Sequence, residues 1–142
     1  MAVKLQSTNT ITTDGIKILA YGAAGSGKTM LIKTLPDPII LSAEGGLLTL
    51  SDEELPFIEI GSMEQLKGAY NWLIEDKEAE QFKSVALDSI TEIAEVCLAN
   101  EKKINKDPRA AYGEMQTTMS EIIRLWPINA GTKSRAIFAI CI

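Results

Sequence analysis

The strongest signal in the sequence is the stretch "ILAYGAAGSGKTML" (residues 18–31), in which a short apolar run leads directly into a glycine-rich loop. Residues 22–29 read GAAGSGKT and fit the pattern G-x-x-x-x-G-K-[ST] without a mismatch. When a strand precedes such a loop and a helix follows it, several backbone N–H groups point at one bound phosphate. The stretch therefore predicts a phosphate-binding loop (P-loop) for a nucleoside triphosphate.

Each position of the loop has an expected role. Gly22, Gly25 and Gly27 allow the backbone to approach the phosphates closely. We expect Lys28 to reach the β- and γ-phosphates as a catalytic residue, and the Thr29 hydroxyl to be a ligand of Mg²⁺. The predicted nucleotide-binding residues are Gly22, Ala23, Ala24, Gly25, Ser26, Gly27, Lys28, Thr29 and Met30.

Outward from the loop, apolar runs alternate with amphipathic segments. The predicted strands are residues 16–21, 39–41, 57–60, 84–88 and 136–142, and helices are predicted at 28–35, after Ser62, after Asp88 and around Tyr112. Apolar strands that are each followed by a helix are typical of a parallel sheet covered on both faces. The predicted fold is α/β with three layers, in a single domain of 142 residues that has an N-terminal extension at residues 1–13.

Two sequence patterns, one capping motif and one apolar stripe, describe these helices in more detail. Ser62, with Gln65 three residues later, predicts a capping box at the start of one helix. A later helix is expected to place one apolar stripe against the core. That stripe consists of Tyr112, Met115, Met119, Ile122 and Ile123.

Asp88 is the candidate for a second metal-binding group. It ends the apolar run "SVALD", so it is expected at the carboxyl end of a strand, where ligands bind in parallel sheets. There the carboxylate would hold Mg²⁺ together with Thr29. The alternative is a structural role, in which Asp88 caps the helix that follows.

Hydrolysis also requires a group that orients and polarises the attacking water. Glu44 follows the second strand in "LSAEGG" and is the first candidate for this catalytic role. Glu92, one helical turn after Asp88, is a weaker candidate because it is expected to face solvent. The alternative for Glu44 is an ordinary loop carboxylate beside a glycine turn.

Composition limits the other possibilities. The chain has no histidine, its two cysteines form no C-x-x-C pair, and its N-terminus lacks the apolar core of a secretion signal. No apolar run is long enough to span a membrane, so a cytoplasmic protein is expected. The net charge of −5 argues against coating nucleic acid by bulk attraction, although residues 100–109 carry four cations. On composition alone, that segment is a solvated loop.

The nucleobase is inferred by elimination. Guanine-binding proteins carry N-K-x-D after an apolar strand, whereas "NKDP" (residues 105–108) departs from that pattern and follows a helix. ATP is therefore the expected nucleotide. A small-molecule phosphotransferase remains open as an alternative activity, although the chain has only three arginines and no arginine-rich lid is visible.

Taken in order, "YGAAGSGKT", "SAEGG", "SVALDS", "AYGEMQTTMSEIIRL" and "AIFAI" resemble the RecA-like ATPase core. More closely, the chain is similar to phage-encoded AAA-type ATP-binding proteins of phage recombination and single-strand annealing. The resemblance implies the strand order 3-2-4-5-1, a water-activating role for Glu44 and a magnesium-shell role for Asp88. It also implies self-association, a location in the host cytoplasm, and contacts from Lys103, Lys106 and Arg109 to single-stranded DNA.

The end of the chain departs from that family. In RecA-like enzymes the fifth strand leads to a polar sensor residue and a second DNA-binding loop, whereas "AIFAICI" stops at Ile142. We therefore expect a core that is cut short at its C-terminal side. A nucleotide-binding module without useful turnover, either a fragment or a regulator, is the main alternative to an ATPase.

Overall fold

A computed structural model describes residues 5, 7, 16–43, 45–125 and 136–141 of the chain. Over these residues the chain forms five strands, three α-helices and three 3₁₀ helices. The strands are β1 (Lys17–Tyr21), β2 (Pro38–Ser42), β3 (Phe57–Glu59), β4 (Ser84–Asp88) and β5 (Ala136–Cys141). Each strand begins and ends within one residue of the segment predicted from the sequence, apart from residue 142, which lies outside the described residues.

The strands form one parallel sheet. Hydrogen bonds join them in the order β3-β2-β4-β5-β1, and every neighbouring pair is parallel. This order and the α/β class were both predicted. The register brings the carboxyl ends of the central strands level, because Ser42 at the end of β2 lies opposite both Glu59 and Asp88.

Three α-helices connect the strands. They are α1 (Met63–Glu75), α2 (Ile90–Ile104) and α3 (Pro108–Leu125). α1 buries Leu66, Ala69 and Leu73. In the described parts of the chain, no helix has both the length and the apolar character needed to cross a bilayer.

The two central strands carry the core on both faces of the sheet. β2 and β4 are buried along their whole length, and successive side chains of a strand point to opposite faces. The first cluster includes Ile39, Leu41, Val85 and Leu87 from the strands and Leu66, Leu73, Ile93 and Cys97 from α1 and α2. The second cluster consists of Ile32, Ile40, Leu50 and Ala86. Alternate residues of the same two strands thus serve both faces, which is the three-layer arrangement expected.

The stripe predicted on α3 is shifted by one residue at its start. Ala111 is fully buried, whereas Tyr112 is 49% exposed. Further along, Met119 is buried and Ile123 is 38% exposed. The buried face therefore follows positions 111, 115, 119 and 122, spaced four, four and three residues apart. Tyr112 and Ile123 lie at the margin of this face, so the prediction that they belong to the core was wrong.

The helix predicted after the glycine-rich loop is short and of a different type. It is a 3₁₀ helix over Thr29–Thr34, in which Ile32 is the buried residue. Pro36 restricts the backbone of Leu35 to extended values (φ −76°, ψ 146°), so the segment ends before an α-helix can develop. Short segments of this kind commonly adopt i→i+3 hydrogen bonds.

β1 departs from the expectation that every strand is buried. Ile18, Leu19 and Tyr21 are 44%, 58% and 82% exposed. β1 is the last strand of the described sheet on its side and pairs there with β5. Its contribution to the core is Ala20, which packs partly against the second cluster.

The sulfur atoms of the core meet at Cys97. This free thiol is buried, and its Sγ lies 3.5 Å from Met63 Sδ and 3.8 Å from Met119 Sδ. Burial raises the pKa of Cys97, and the nearby Glu101 carboxylate acts in the same direction. The thiol therefore stays neutral at physiological pH and joins α1, α2 and α3 as an apolar group.

The capping box predicted at α1 is present in a modified form. Ser62 Oγ accepts a hydrogen bond from the Gln65 N–H at 3.2 Å. The Gln65 side chain reaches back to accept from the Gly61 N–H at 2.8 Å, one residue before the cap.

Replacing Ser62 by alanine is expected to lower the free energy of unfolding by about 1 kcal/mol, because the Gln65 N–H loses its acceptor. Urea unfolding followed by circular dichroism measures the difference. Ser62→Asp retains an acceptor and should stay within a few tenths of a kcal/mol of the wild type. Equal losses in the two variants would show that the hydroxyl does not act as a cap.

Candidate functional site

The glycine-rich loop connects β1 to the 3₁₀ helix. The backbone takes left-handed values at Gly25 (φ +77°) and Gly27 (φ +87°), which side chains with a Cβ adopt only at a cost. An added Cβ would meet no atom within 4 Å at either position. Glycine is therefore required by the backbone conformation and not by crowding, as expected for a loop that turns its N–H groups toward one point.

Lys28 folds back over this loop. Its Nζ donates hydrogen bonds of 2.7 Å to the carbonyl oxygens of both Gly22 and Ala23, and lies 3.4 Å from Ser26 Oγ. The ammonium group thus bridges the two ends of the loop. This places a positive charge at the loop, where the sequence predicted that it would meet phosphate.

Thr29 and Asp88 come together although they are 59 residues apart in the chain. Thr29 Oγ1 donates a hydrogen bond of 3.2 Å to Asp88 Oδ2. Asp88 is the last residue of β4 and is 3% exposed. The two groups predicted to share a metal ion are therefore adjacent at the carboxyl edge of the sheet.

The capping role considered for Asp88 belongs to its neighbour. Ser89 Oγ accepts a hydrogen bond of 3.3 Å from the Glu92 N–H and is the N-cap of α2. The sequence carried this signal as Ser-x-x-Glu over residues 89–92. Because the cap is provided by Ser89, the Asp88 carboxylate remains available to the Thr29 hydroxyl. Glu92 is exposed, as expected.

Glu44, the candidate for water activation, lies outside the described residues. Its chain neighbours are placed: Ser42 pairs with Asp88 across the sheet, and the Ala43 N–H donates a 3.0 Å hydrogen bond to the Asp88 carbonyl. The chain therefore passes beside Asp88 immediately before residue 44.

An open groove adjoins the same edge of the sheet. Its volume is about 470 Å³, and it lies where β2 and β3 end. Residues that line it include Ser42, Ala43, Gly45, Glu59 and Gly61. Space at the carboxyl ends of parallel strands is where ligands bind in folds of this kind.

The described residues contain no group of three or more histidine, cysteine or acidic side chains that could enclose a metal ion. Thr29 and Asp88 offer one hydroxyl and one carboxylate. Mg²⁺ is characteristically held by one or two protein oxygens, with phosphate oxygens and water as its other ligands. A metal at this edge would therefore have to bind together with the nucleotide.

The predicted DNA contacts lie far from the P-loop. Lys103 is in the last turn of α2, Lys106 follows in the turn that leads to α3, and Arg109 is the second residue of α3; all three are exposed. The 15 residues of α2 separate this turn from Ser89 by about 22 Å. The structure thus brings Lys28, Thr29 and Asp88 together and places the basic segment elsewhere.

Two residues near that turn were not recognised from the sequence. Lys102 Nζ lies 5.5 Å from the centre of the Tyr112 ring, within the range of a cation–π contact. The ring belongs to the side chain that had been assigned to the core. The signal that could have placed it outside is Ala111, which continues the four-residue spacing through Met115 and Met119.

A family model described as an AAA domain matches residues 14–133, which include the glycine-rich loop, Asp88 and the basic segment. No curated protein matches the chain.

Proposed function

The chain belongs to the AAA domain family, whose members are nucleotide-binding ATPases, and on this premise we propose that it is a Mg²⁺-dependent ATPase with its site between the P-loop and the end of β4. The observation that carries the proposal is the hydrogen bond between Thr29 Oγ1 and Asp88 Oδ2 at 3.2 Å. It joins the residue after the loop lysine to a carboxylate at a strand end. These are the two protein groups that a nucleotide-bound Mg²⁺ requires.

The loop suits a triphosphate in its backbone and in its charge. The left-handed glycines at positions 25 and 27 carry no side chain that could block a phosphate, and the space beside each is open. Lys28 supplies the positive charge next to it. To bind a β- or γ-phosphate, the ammonium group would exchange the carbonyl oxygens of Gly22 and Ala23 for phosphate oxygens.

The donor set suits Mg²⁺. A hydroxyl and a carboxylate are hard oxygen ligands, which Mg²⁺ prefers to sulfur or nitrogen. Bound there, Mg²⁺ would neutralise the charge that develops on the phosphate oxygens. Thr29 and Asp88 would hold it, and burial of Asp88 would keep bulk water away from the carboxylate.

The remaining step needs a base for the attacking water. We assign it to Glu44, in which the carboxylate would accept a proton from water while Lys28 stabilises the charge on the phosphoryl group. Support comes from the path of the chain, because Ser42 and Ala43 bring the backbone beside Asp88 just before this residue. The leaving ADP carries away the electron pair of the broken phosphoanhydride bond.

Glu44→Gln tests the assignment. The amide cannot accept the proton, so ATP turnover is expected to fall about a hundredfold while ATP binding is kept. Phosphate release gives the rate, and a thermal-shift titration with ATP and Mg²⁺ gives binding, which raises the melting temperature.

Glu75→Gln is the matched control for this experiment, because Glu75 is an exposed carboxylate at the C-terminal end of α1 and does not line the groove. It should hydrolyse ATP like the wild type. Undiminished hydrolysis by Glu44→Gln would remove Glu44 from the mechanism. A wild-type chain that is stabilised by ATP but releases no phosphate would instead be a binding module.

A more specific role follows from the resemblance to phage-encoded recombination and annealing ATPases. We propose that the protein acts on single-stranded DNA as a self-associating ATPase, with Lys103, Lys106 and Arg109 contacting the phosphate backbone. The support is their exposure at the end of α2, in the turn that follows and at the start of α3, about 22 Å along α2 from the nucleotide site. This separation would let DNA and ATP bind at the same time.

A further inference from the structure

We propose that Tyr112 makes the turn between α2 and α3 selective for single-stranded DNA, by stacking its ring against an unpaired base. This inference rests on the proposed DNA-binding role of that turn. Phosphate contacts are common to single and double strands, so the cations of the turn cannot distinguish them. An exposed aromatic ring can, because it needs a base whose face is free.

The ring is placed where a base could reach it. Tyr112 is 49% exposed, on the first turns of α3, and Ile104 at the end of α2 is 69% exposed. Arg109 precedes Tyr112 by three residues on α3, so the two side chains lie on the same side of that helix. The turn therefore presents an aromatic face and an apolar side chain next to its cations.

The acidic and basic side chains around the turn differ in their contacts. Residues 101–114 contain four cations and three acids. Glu101 accepts a hydrogen bond from Asn105 Nδ2 at 3.2 Å, and Asp107 accepts from the Arg109 N–H at 3.0 Å. These two carboxylates stabilise the turn, while Lys103 and Lys106 are exposed.

Lys102 lies next to the ring, where it could contact the phosphate of a nucleotide that stacks there. Its ammonium group lies 5.5 Å from the ring centre of Tyr112, a contact that is weak at an exposed site. A base stacking on the ring would take the place of this ammonium group or lie on the opposite face. In either case a phosphate of the same nucleotide would lie within reach of the lysine.

A duplex cannot make the same contact. Its bases are stacked on one another and present only their edges in the grooves. A tyrosine on the side of a helix, without a wedge that opens the base stack, therefore contributes to single-strand binding alone. The turn is also remote from Thr29 and Asp88, so stacking would not compete with nucleotide.

The test measures binding of the full 142-residue chain to fluorescent oligonucleotides at one fixed salt concentration. The probes are a 20-nucleotide single strand, its duplex, and a single strand of equal length in which most bases are replaced by abasic sites. The variants are Tyr112→Ala, Tyr112→Leu and Tyr112→Phe, with Lys103→Ala for comparison. We expect Tyr112→Ala and Tyr112→Leu to weaken single-strand binding about tenfold, and Tyr112→Phe to stay within about twofold of the wild type.

The abasic strand separates stacking from charge. The Tyr112 substitutions should leave binding to it unchanged, whereas Lys103→Ala should weaken all three probes alike. The stacking proposal is contradicted if the Tyr112→Leu and Tyr112→Phe variants bind the single strand with equal affinity. It is also contradicted if Tyr112→Ala weakens binding to the abasic strand as much as to the normal single strand. It is also overturned if the wild type binds none of the probes. Phosphate release by the wild type without DNA reports on the ATPase proposal separately, so either proposal can fail alone.

Discussion

Lys28→Ala is expected to reduce kcat/KM for ATP by about 10³-fold. The ammonium group is the cation that the structure places at the P-loop, with its Nζ 2.7 Å from two loop carbonyl oxygens. Removing one preorganised donor from a developing charge lowers turnover by about 10²- to 10³-fold, and a full positive charge belongs at the upper end of that range. The loss should include weaker ATP binding, because in the proposed site the lysine would also contact the phosphates of the ground state.

Lys33→Ala is the matched control for this result. Lys33 lies five residues later on the 3₁₀ helix, where its ammonium group forms an exposed ion pair with Glu53 at 3.1 Å. Its removal lowers the net charge by the same amount and should leave hydrolysis within about twofold of the wild type. Phosphate release and nucleotide titration measure both variants. Equal losses in the two would mean that overall charge matters and the position of Lys28 does not.

Asp88→Asn is expected to lower Mg²⁺-dependent ATP hydrolysis by roughly 10³-fold, since a metal ion stabilises a phosphoryl transition state by several kcal/mol. The amide preserves the shape of the side chain and can still accept the hydrogen bond from Thr29 Oγ1. It lacks the negative charge that, in the proposed site, would hold the metal. The fold should therefore persist while the Mg²⁺ concentration for half-maximal activity rises.

Activity is measured across a Mg²⁺ titration, and thermal unfolding is followed in parallel. Glu95→Gln is the control, because Glu95 is an exposed carboxylate on α2 with no place in the site. It should follow the wild-type titration. An Asp88→Asn chain with an unchanged Mg²⁺ requirement would show that the metal binds elsewhere, and a large loss of stability would assign the carboxylate to the fold.

Much of the fold could be predicted because its central strands are apolar and short. β2 and β4 lie at the predicted positions, since a run such as "SVALD" between polar residues suits a strand buried on both faces. The order of the strands could not be read from these runs, because buried parallel strands have the same composition. It came from the resemblance to a known family.

The site was partly predictable for a related reason. A loop pattern and a carboxylate at the end of a buried strand each have a position fixed by local structure, so Thr29 and Asp88 could be expected to meet. The length and type of the following helix depended on Pro36, and the exposure of Tyr112 depended on how wide the buried face of α3 is. Successive residues of a helix are about 100° apart, so the step from Ala111 to Tyr112 leads from the buried face to its exposed margin.

The hydrogen bonds of Lys28 affect what a dissociation constant for nucleotide measures in this protein. Its ammonium group is already satisfied by two carbonyl oxygens at 2.7 Å, so an arriving triphosphate must displace an intramolecular competitor that is present at a fixed, high effective concentration. The dissociation constant then reports an exchange of partners and not the full strength of the lysine–phosphate contact. A nucleotide that offers fewer phosphate oxygens in this exchange has less with which to displace the carbonyls, so the loop itself favours triphosphate over its hydrolysis product.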